Sequence, residues 1–408
     1  MAKKYMEPIE KSYDFAGAIE EAGRCLLCLD APCSKDCPAG TDPGRFIRST
    51  RFNNFKGAAE TIRLNNALGS ICARVCPTER YCQANCPRGE IDRPIDIGRI
   101  QQFLTDYEND VGLTILEKGK ANGFKVAIVG SGPSGLQAAT NLARLGYKVT
   151  IYDKNEKPGG QLRYGIPEYR LSNKIVDIEI KRIKDLGVTI KNNVNIGDNV
   201  TIDDLKRLHD AVILAPGYSL GKYLKDYVSH PDVEIALDFL KKVKDSKGKI
   251  TLPKDVLVVG GGDVAMDASS TLKLLGVENV TCAIYELSNE LRASKKELET
   301  TRDLGVTMIY GYHAESVNKK QVILKHRKID AKIILNPDKV VLAVGQIPYL
   351  VGLSVLQTDI VPGKYTTTDP KIFVTGDLAD GDKTVVYAVR NGKFAAQAVH
   401  EYLGGGIK

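Results

Sequence analysis

The sequence has no apolar run close to the length of about 18 residues that a membrane-spanning helix requires. Its first residues lack the apolar segment that forms the centre of a secretory signal. It also has no Lys/Arg block and no basic stretch interleaved with aromatic side chains, which argues against nucleic acid as a partner. These absences predict a cytoplasmic protein with reduced thiols and no membrane partner.

The composition is that of an ordinary globular protein. Hydrophobic residues make up 43% and charged residues 26% of the 408 residues, and the net charge is +7. A chain of this length is too long for a single hydrophobic core, so two or three domains are expected. The mild positive charge by itself identifies no partner.

Cysteine spacing is the most informative pattern in the chain, because eight of the nine cysteines lie within residues 25–86. Each of two runs ends in a cysteine followed by proline, as in bacterial ferredoxins, where four thiolates hold one [4Fe–4S] cluster. The runs are Cys25, Cys28, Cys33 and Cys37, then Cys72, Cys76, Cys82 and Cys86. The segment therefore has enough thiols for two clusters.

Zinc and disulfides are the alternative interpretations of these cysteines. Structural zinc prefers cysteine pairs separated by two residues, and only Cys25 and Cys28 have that spacing. A disulfide framework needs an oxidising compartment, which the N-terminus does not indicate. Iron–sulfur clusters are therefore favoured, with zinc as the main alternative. Cys282 lies in an apolar, strand-like run and is expected to be buried.

The sequence pattern changes along the chain and predicts several domains. Residues 1–118 carry the cysteines on short helical pieces, such as 14–24 and 43–64, in which clusters would replace part of the hydrophobic core. A pattern of strand, glycine turn, helix and strand begins near residue 119 and recurs from residue 255. We therefore expect a helical cluster domain followed by two α/β, Rossmann-like nucleotide-binding domains.

The first glycine-rich turn follows a buried strand and opens a helix, as a dinucleotide fingerprint requires. The first glycine permits the turn, the second admits a pyrophosphate, and the third lets the helix pack on the strand. Asp153 ends the next strand, where a carboxylate can accept hydrogen bonds from a ribose. The predicted site residues are Gly130, Gly132, Pro133, Ser134, Gly135, Asp153 and Lys154.

The second glycine-rich turn has alanine at the third glycine position, which is an accepted variant. Glu286 follows its second strand, where an acid favours a free ribose 2′-hydroxyl and therefore NAD(H). Arg292 could instead reach a 2′-phosphate, and Glu286 could be an ordinary solvated residue, so NADPH stays open. The predicted residues are Gly260, Gly261, Gly262, Asp263, Val264, Glu286 and Arg292.

Nearly the whole chain resembles the glutamate synthase small-subunit family, whose members combine two [4Fe–4S] clusters, FAD and a nicotinamide nucleotide. The resemblance rests on the sequence segments 24–33, 76–78, 97–103, 159–171 and 374–377. The dihydropyrimidine dehydrogenase branch is most similar. Three details favour this branch. The segment 101–103 resembles the family segment in which a glutamine side chain replaces a cysteine as cluster ligand. The segment 291–293 lacks the paired arginines found in other family members, and the sequence has no FMN-binding barrel after the FAD domain.

The resemblance implies a glutathione-reductase-like arrangement in which one nucleotide domain is inserted into the other. The FAD domain would comprise residues 119–222 and 346–408, and the NAD(H) domain residues 223–345. It also implies interleaved clusters. One would be held by Cys25, Cys28, Cys33 and Cys86, the other by Cys37, Cys76, Cys82 and Gln102, which leaves Gln102 and Cys72 as alternatives for the eighth ligand.

Further cofactor contacts are also implied by the resemblance. Gly160, Gln161 and Leu162 would follow the ribityl chain and pyrophosphate of FAD, and Arg170 would lie near the flavin. Other FAD contacts would come from Ala215, Gly217, Gly376, Asp377, Thr384 and Val385, although Pro216 departs from the family's usual threonine. Ala343 and Gly345 would lie on the strand that returns from the NAD(H) domain, near the nicotinamide.

The function implied is that of an NAD(P)H-dependent flavin and iron–sulfur oxidoreductase. NADH would reduce FAD, and the clusters would pass electrons to a separate FMN subunit that reduces pyrimidines. No side chain is assigned as catalytic, because hydride transfer to a flavin needs no protein acid or base. The alternatives are a glutamate synthase small subunit, a subunit of an NAD(H)–ferredoxin oxidoreductase, and a non-enzymatic iron–sulfur redox sensor.

Overall fold

The structure is a computed structural model, and it describes residues 2–198, 200–353, 359–361 and 363–404. These residues form two compact units. Unit one comprises 1–9, 164–172 and 218–347, and unit two comprises 10–163, 173–217 and 348–408, apart from the undescribed positions. Residues 2–9 and 164–172, which the sequence places in the cluster and FAD domains, thus fold with unit one. The bounds of the three sequence domains stay predictions.

Helices dominate the first part of the chain, and strands alternate with helices from residue 125 onward. The helices are α1 (Ala2–Met6), α2 (Phe15–Gly23), α3 (Pro32–Lys35), α4 (Pro43–Arg51), α5 (Phe55–Asn65), α6 (Gly69–Val75), α7 (Ile97–Asp110), α8 (Pro133–Arg144), α9 (Gln161–Tyr164), α10 (Asn173–Asp185), α11 (Ile202–Leu208), α12 (Ala236–Asp245), α13 (Asp263–Leu275), α14 (Lys295–Asp303) and α15 (Val385–Tyr402). The strands are β1 (Lys125–Val129), β2 (Lys148–Tyr152), β3 (Thr189–Lys191), β4 (Ala211–Leu214), β5 (Leu220–Gly221), β6 (Val233–Ile235), β7 (Asp255–Val259), β8 (Asn279–Ile284), β9 (Thr307–Tyr310), β10 (Tyr312–Asn318), β11 (Gln321–His326), β12 (Lys332–Leu335), β13 (Lys339–Leu342), β14 (Gln346–Ile347) and β15 (Ile372–Val374). Within the ranges described, no helix is both long and apolar enough to cross a membrane.

Helices α2 to α7 form the helical part of unit two. The sequence predicts one helical piece over 43–64, but the structure has two helices there, so that prediction is wrong. Asn53 adopts a left-handed φ of 60°, which ends α4, and the Asn54 side chain accepts a hydrogen bond from the backbone N–H of Gly57 to cap α5. The small core between these helices includes Phe46, Ile62 and several cysteines.

The remainder of unit two is built on a parallel sheet in the order β15-β4-β1-β2-β3. Strand β15 lies far along the chain from β4, and pairs with it only after the chain has passed through unit one. The predicted insertion of one nucleotide domain into the other is therefore confirmed.

A buried ion-pair network joins the helical part of unit two to its nucleotide fold. Arg63 on α5 has Nε 2.6 Å from Glu108 Oε2 on α7 and Nη2 2.7 Å from Glu179 Oε1 on α10. Arg182 Nη1 lies 2.8 Å from Glu108 Oε1. Removing one partner of a buried pair leaves an uncompensated charge, so loss of any one of these side chains should destabilise the contact between the cysteine-bearing helices and the nucleotide fold.

Unit one contains the second nucleotide fold. Its parallel sheet has the order β6-β13-β7-β8-β9, and the antiparallel sheet β10-β11-β12 follows β9 in the chain. Cys282 on β8 is fully buried, as the sequence predicts, and its thiol donates to the Gly260 carbonyl oxygen at 3.4 Å.

Candidate functional site

The first dinucleotide loop joins β1 to α8 and depends on two glycines. Gly130 has φ +105°, and a Cβ added there would lie 2.3 Å from the Ala215 carbonyl oxygen. A Cβ at Gly135 would lie 2.1 Å from the Gly130 oxygen. Gly132, the N-cap of α8, faces open space, where the helix N-terminus favours an anion. The loop therefore fits a dinucleotide pyrophosphate.

Asp153 follows β2 and supports this loop. Its buried carboxylate accepts from the Ser131 N–H at 2.8 Å and from the Ser131 hydroxyl, and its other oxygen accepts from the Asn155 N–H at 2.8 Å. The Asn155 side-chain amide donates to the same oxygen at 3.0 Å, so these bonds already use the roughly four acceptor positions of the carboxylate. The ribose contact of Asp153 stays a prediction. The ammonium of Lys154, also a predicted site residue, lies 4.9 Å from the ring centroid of Tyr349.

Two other predicted flavin segments reach the same loop. A Cβ at Gly160 would lie 2.9 Å from the Cα of Gly132, and one at Gly376 would lie 2.5 Å from the Ser134 hydroxyl. Pro133 is the first residue of α8, Gln161 and Leu162 begin α9, and Val385 begins α15 after its N-cap Thr384. Gly217 would place a Cβ 3.8 Å from Asp377 Oδ2. Unit two thus gathers these segments around a single loop.

Four of the predicted ligands line one cavity in the helical part of unit two. They are Cys25, Cys28, Cys33 and Cys86, the set assigned by resemblance to the first cluster. All four are partly exposed, and Leu26 and Arg48 also line the cavity. Burial raises the pKa of Cys33 to about 11, so its thiol is protonated at neutral pH until a metal displaces the proton.

The second group of thiols is more deeply placed. Cys72 and Cys82 are buried, whereas Cys37 and Cys76 are partly exposed. The Thr41 N–H donates to Cys37 Sγ at 3.4 Å. Burial raises the pKa of Cys72 to about 12, and its side chain is hydrogen-bonded to Asn66.

Gln101 and Gln102 have different surroundings on α7. The Gln101 amide donates to the Gly69 carbonyl oxygen at 2.7 Å, whereas the structure shows no side-chain hydrogen bond for Gln102 within the described residues. Gln102 is only 8% exposed. The role of Gln102 as a cluster ligand stays a prediction. In the part of the chain described, no group of three or more His, Cys, Asp or Glu side chains is arranged so that it could hold a metal ion.

The second dinucleotide loop, in unit one, has the same construction. Gly260 has φ +143°, and a Cβ there would lie 2.3 Å from the Ala343 carbonyl oxygen. A Cβ at Gly261 would lie 2.6 Å from Glu286 Oε2, so the Glu286 carboxylate covers this glycine. Arg292 Nε lies 3.6 Å from Glu286 Oε1. The acid is therefore placed beside the fingerprint, where a ribose would bind.

Three of the remaining residues predicted in this fold belong to the loop or to the start of α13, and Gly345 lies after a distant strand. Gly262 is the N-cap of α13, Asp263 is its first residue and accepts from the Ser294 N–H at 2.6 Å, and Val264 packs against the core of unit one. Gly345 follows β13 with φ +103°.

Arg170 also lies in unit one, and it binds two carboxylates that sequence reasoning missed. Its Nη1 lies 2.8 Å from both oxygens of Asp267, and its Nη2 lies 2.9 Å from Glu297 Oε1. Burial and the neighbouring Glu297 carboxylate raise the pKa of Asp267 to about 7, against the effect of Arg170. These partners are remote in sequence, so no local signal identifies them. The flavin contact of Arg170 stays a prediction.

Two family descriptions match the chain. Dihydropyrimidine dehydrogenase domain II, 4Fe-4S cluster, matches residues 2–113, and pyridine nucleotide-disulphide oxidoreductase matches residues 124–392. They confirm the predicted cofactor types, which are [4Fe–4S] clusters in the N-terminal part and FAD and NAD in the remainder. The contacts described above fit these groups. The number of clusters and the individual ligands stay predictions.

Several curated proteins are similar to this chain over almost its whole length. The NAD-dependent dihydropyrimidine dehydrogenase subunit PreT of Escherichia coli (strain K12) is 49% identical over 406 residues, which cover 99% of this chain and 98% of that protein. The Salmonella typhimurium subunit of the same name is 48% identical over 404 residues, 98% of each chain. The glutamate synthase [NADPH] small chain of Escherichia coli (strain K12) is 29% identical over 428 residues, which cover 94% of this chain and 91% of that protein.

Solved structures show the fold of the nucleotide-binding part. Thioredoxin reductase of T. acidophilum matches with a TM-score of 0.54 at 20% identity over 68% of this chain and 98% of that one. Mycobacterium tuberculosis FprA in complex with NADPH matches with a TM-score of 0.58 at 16% identity, over 69% of this chain and 85% of that one. By family match and by identity over almost its full length, the chain belongs to the pyridine nucleotide-disulphide oxidoreductase family, among the NAD-dependent dihydropyrimidine dehydrogenase subunits.

Proposed function

We propose that the chain is the electron-input subunit of a two-subunit dihydropyrimidine dehydrogenase. NADH would bind in unit one, FAD and two [4Fe–4S] clusters would bind in unit two, and a separate FMN subunit would interconvert uracil or thymine and their 5,6-dihydro forms. The observation that carries the proposal is that unit two combines a complete flavin loop with two groups of cysteines.

The proposed reaction transfers electrons from nicotinamide, which gives up two at once, to clusters that each accept one. Bound FAD supplies that conversion, because nicotinamide releases a hydride while each cluster accepts one electron. The chain's own residues bind and orient the groups. Glycine loops admit the pyrophosphates, the N-terminus of α15 would favour negative charge on a reduced flavin, and the thiols would hold the irons.

The two groups of thiols suggest an order for the clusters. Leu26 lines the cavity together with Cys25, Cys28, Cys33 and Cys86, and Leu29, which follows Cys28 in the chain, is fully exposed. Cys72 and Cys82 are buried. We therefore infer that the first cluster lies near the surface from which electrons leave for the partner subunit.

Relatives named as subunits support a hetero-oligomer, and the proposal assigns the partner role to the FMN subunit. The proposal also locates the protein in the cytoplasm, because a reducing compartment would keep the cysteines available as thiols for iron.

The test is reconstitution. The chain would be purified anaerobically and assayed for NADH-dependent reduction of an artificial electron acceptor, then for NADH-dependent reduction of uracil with and without a candidate FMN subunit. We expect the artificial acceptor to be reduced by the chain alone and uracil only in the presence of the partner. Uracil reduction by the chain alone would contradict the split between subunits, and glutamate formation with an amidotransferase partner would support the glutamate synthase alternative.

A further inference from the structure

Tyr81 joins two segments of unit two that are distant in sequence. It immediately precedes Cys82, a predicted ligand of the second cluster, and its side chain is buried. Its hydroxyl donates to Asp382 Oδ2 at 2.7 Å and lies 3.4 Å from Thr384 Oγ1. Its ring centroid lies 5.8 Å from that of Tyr387. One side chain thus connects the second cysteine run to the beginning of α15.

Helix α15 is attached to the first cysteine run as well. Lys393, two turns further along the helix, donates to the carbonyl oxygens of Ala39 and Asn65 at 2.7 and 2.8 Å. Ala39 follows Cys37 by two residues, and Cys37 is another predicted ligand of the second cluster. The helix whose N-terminus is predicted to face the flavin is therefore connected to both segments that would hold this cluster.

We propose that Tyr81 is a positioning residue that holds the flavin-facing end of α15 against the second cluster segment, and so supports electron passage between them. This inference rests on the proposed function. In the overall step, one NADH would become NAD⁺ and release two electrons and one proton. Two oxidised clusters held by the predicted ligands would accept one electron each, and the proton would leave to solvent.

The chemistry of the contact suits this role. A neutral phenol that donates to a carboxylate makes a charge-assisted hydrogen bond, which is stronger than a bond between neutral groups. The ring itself is rigid and packs on Tyr387, so the bond is held in one geometry. Asp382, on the other side of the contact, is exposed, so loss of the phenol hydroxyl leaves its carboxylate solvated and not stranded in the interior.

The experiment compares Tyr81→Phe with Tyr13→Phe in the loaded, full-length chain. Tyr13 is a matched control, because its hydroxyl also donates to a carboxylate, that of Asp96 at 3.4 Å, in the helical part of the same unit. NADH is mixed with each protein in a stopped-flow instrument, and flavin reduction and the later cluster reduction are followed separately. The midpoint potentials and EPR spectra of the clusters are measured at equilibrium.

For Tyr81→Phe we expect normal flavin reduction by NADH, unchanged potentials and EPR spectra, and cluster reduction slowed by at least about fivefold, the factor that corresponds to one hydrogen bond of about 1 kcal/mol. Asp382→Asn, which weakens the same bond from its exposed side, should slow the same phase. Tyr13→Phe should leave both phases unchanged.

Cluster reduction at the wild-type rate in Tyr81→Phe and Asp382→Asn would overturn the inference. So would a lost cluster or a shifted potential in Tyr81→Phe, because Tyr81 would then support the cluster ligands themselves. Failure of the proposed function would be visible separately, since the wild-type chain would then not support NADH-dependent uracil reduction with the FMN partner, whatever the rates measured in the Tyr81 variants.

Discussion

Single residues decide which nucleotide unit one accepts. The Glu286 carboxylate lies over Gly261 of the fingerprint, and we predict that it accepts a hydrogen bond from a ribose 2′-hydroxyl. Arg292 pairs with it at 3.6 Å, but its side chain is 82% exposed. A solvated arginine offers weak compensation for a phosphate placed against a carboxylate, which favours NADH.

Replacement of Glu286 by Arg should move nucleotide preference toward NADPH. In the wild-type chain, repulsion between Glu286 and a 2′-phosphate should favour NADH by roughly tenfold or more, since like charges in a partly desolvated site cost on the order of 1–4 kcal/mol. The measurement is kcat/KM for flavin reduction with each nucleotide. Glu278→Arg, an exposed change just before β8, is the control and should not alter the ratio. A wild-type preference for NADPH would show that Arg292 dominates.

The eighth cluster ligand can be identified by removing each candidate. Gln102→Ala should perturb the EPR spectrum and midpoint potential of one cluster and leave the other near normal, because a harder oxygen ligand tunes the iron it binds. Cys72→Ala should leave both clusters in place. The opposite result, a lost cluster in Cys72→Ala and unchanged spectra in Gln102→Ala, would assign the ligand to Cys72. Gln101→Ala, which removes a bond to the Gly69 carbonyl oxygen, controls for packing on α7.

At the scale of elements, each dinucleotide loop depends on backbone that only glycine provides. Gly130→Ala should abolish FAD binding, because the added Cβ would lie 2.3 Å from the Ala215 carbonyl oxygen and force the loop apart. Gly123→Ala is the matched control. It has φ +90° but no atom within 4 Å of the added Cβ, so it should cost only about 1–2 kcal/mol of backbone strain. FAD content of the purified variants is the measurement, and bound FAD in Gly130→Ala would contradict the assignment of this loop.

The contact of Arg170 with α13 and α14 gives unit one a dependence on pH. Two carboxylates share one guanidinium, and burial raises the pKa of Asp267 from 3.8 to about 7. Between these values the folded chain holds more protons than the unfolded chain, so the free energy of unfolding contributed by Asp267 falls as the pH rises through that window.

Asp267→Asn should remove this dependence. Urea unfolding of the wild-type chain and of the variant would be compared at pH values below and above the window. The difference in unfolding free energy between the two proteins should change with pH, in the direction that makes the wild type relatively more stable at the acidic end. Asp245→Asn, in an exposed pair with Lys241, should show no such change. A constant difference for Asp267→Asn would place its pKa outside this range.

At the scale of the whole molecule, the cofactor content follows from the two groups of thiols. We expect about eight irons and about eight acid-labile sulfides per chain after anaerobic purification, since each [4Fe–4S] cluster contains four of each. One FAD per chain should accompany them without a covalent link. Zinc without sulfide would overturn the iron–sulfur interpretation, and half the expected iron would leave only one cluster.

Fold class, cofactor types and family are all predictable from the amino-acid sequence. Cysteine runs and glycine loops are local patterns, and their chemistry depends on residue type and spacing, which the sequence shows directly. The returning strand β15 follows from family resemblance, and its pairing with β4 confirms it.

The packing of the folded chain sets which distant groups meet. It brings Arg170 to Asp267 and Glu297, Tyr81 to Asp382, and Glu286 to Gly261, in each case from separate segments of the chain. It also divides the predicted helix 43–64 at Asn53. These contacts depend on how packed elements approach one another, and side-chain partners that are remote in sequence leave no periodic signal in the chain.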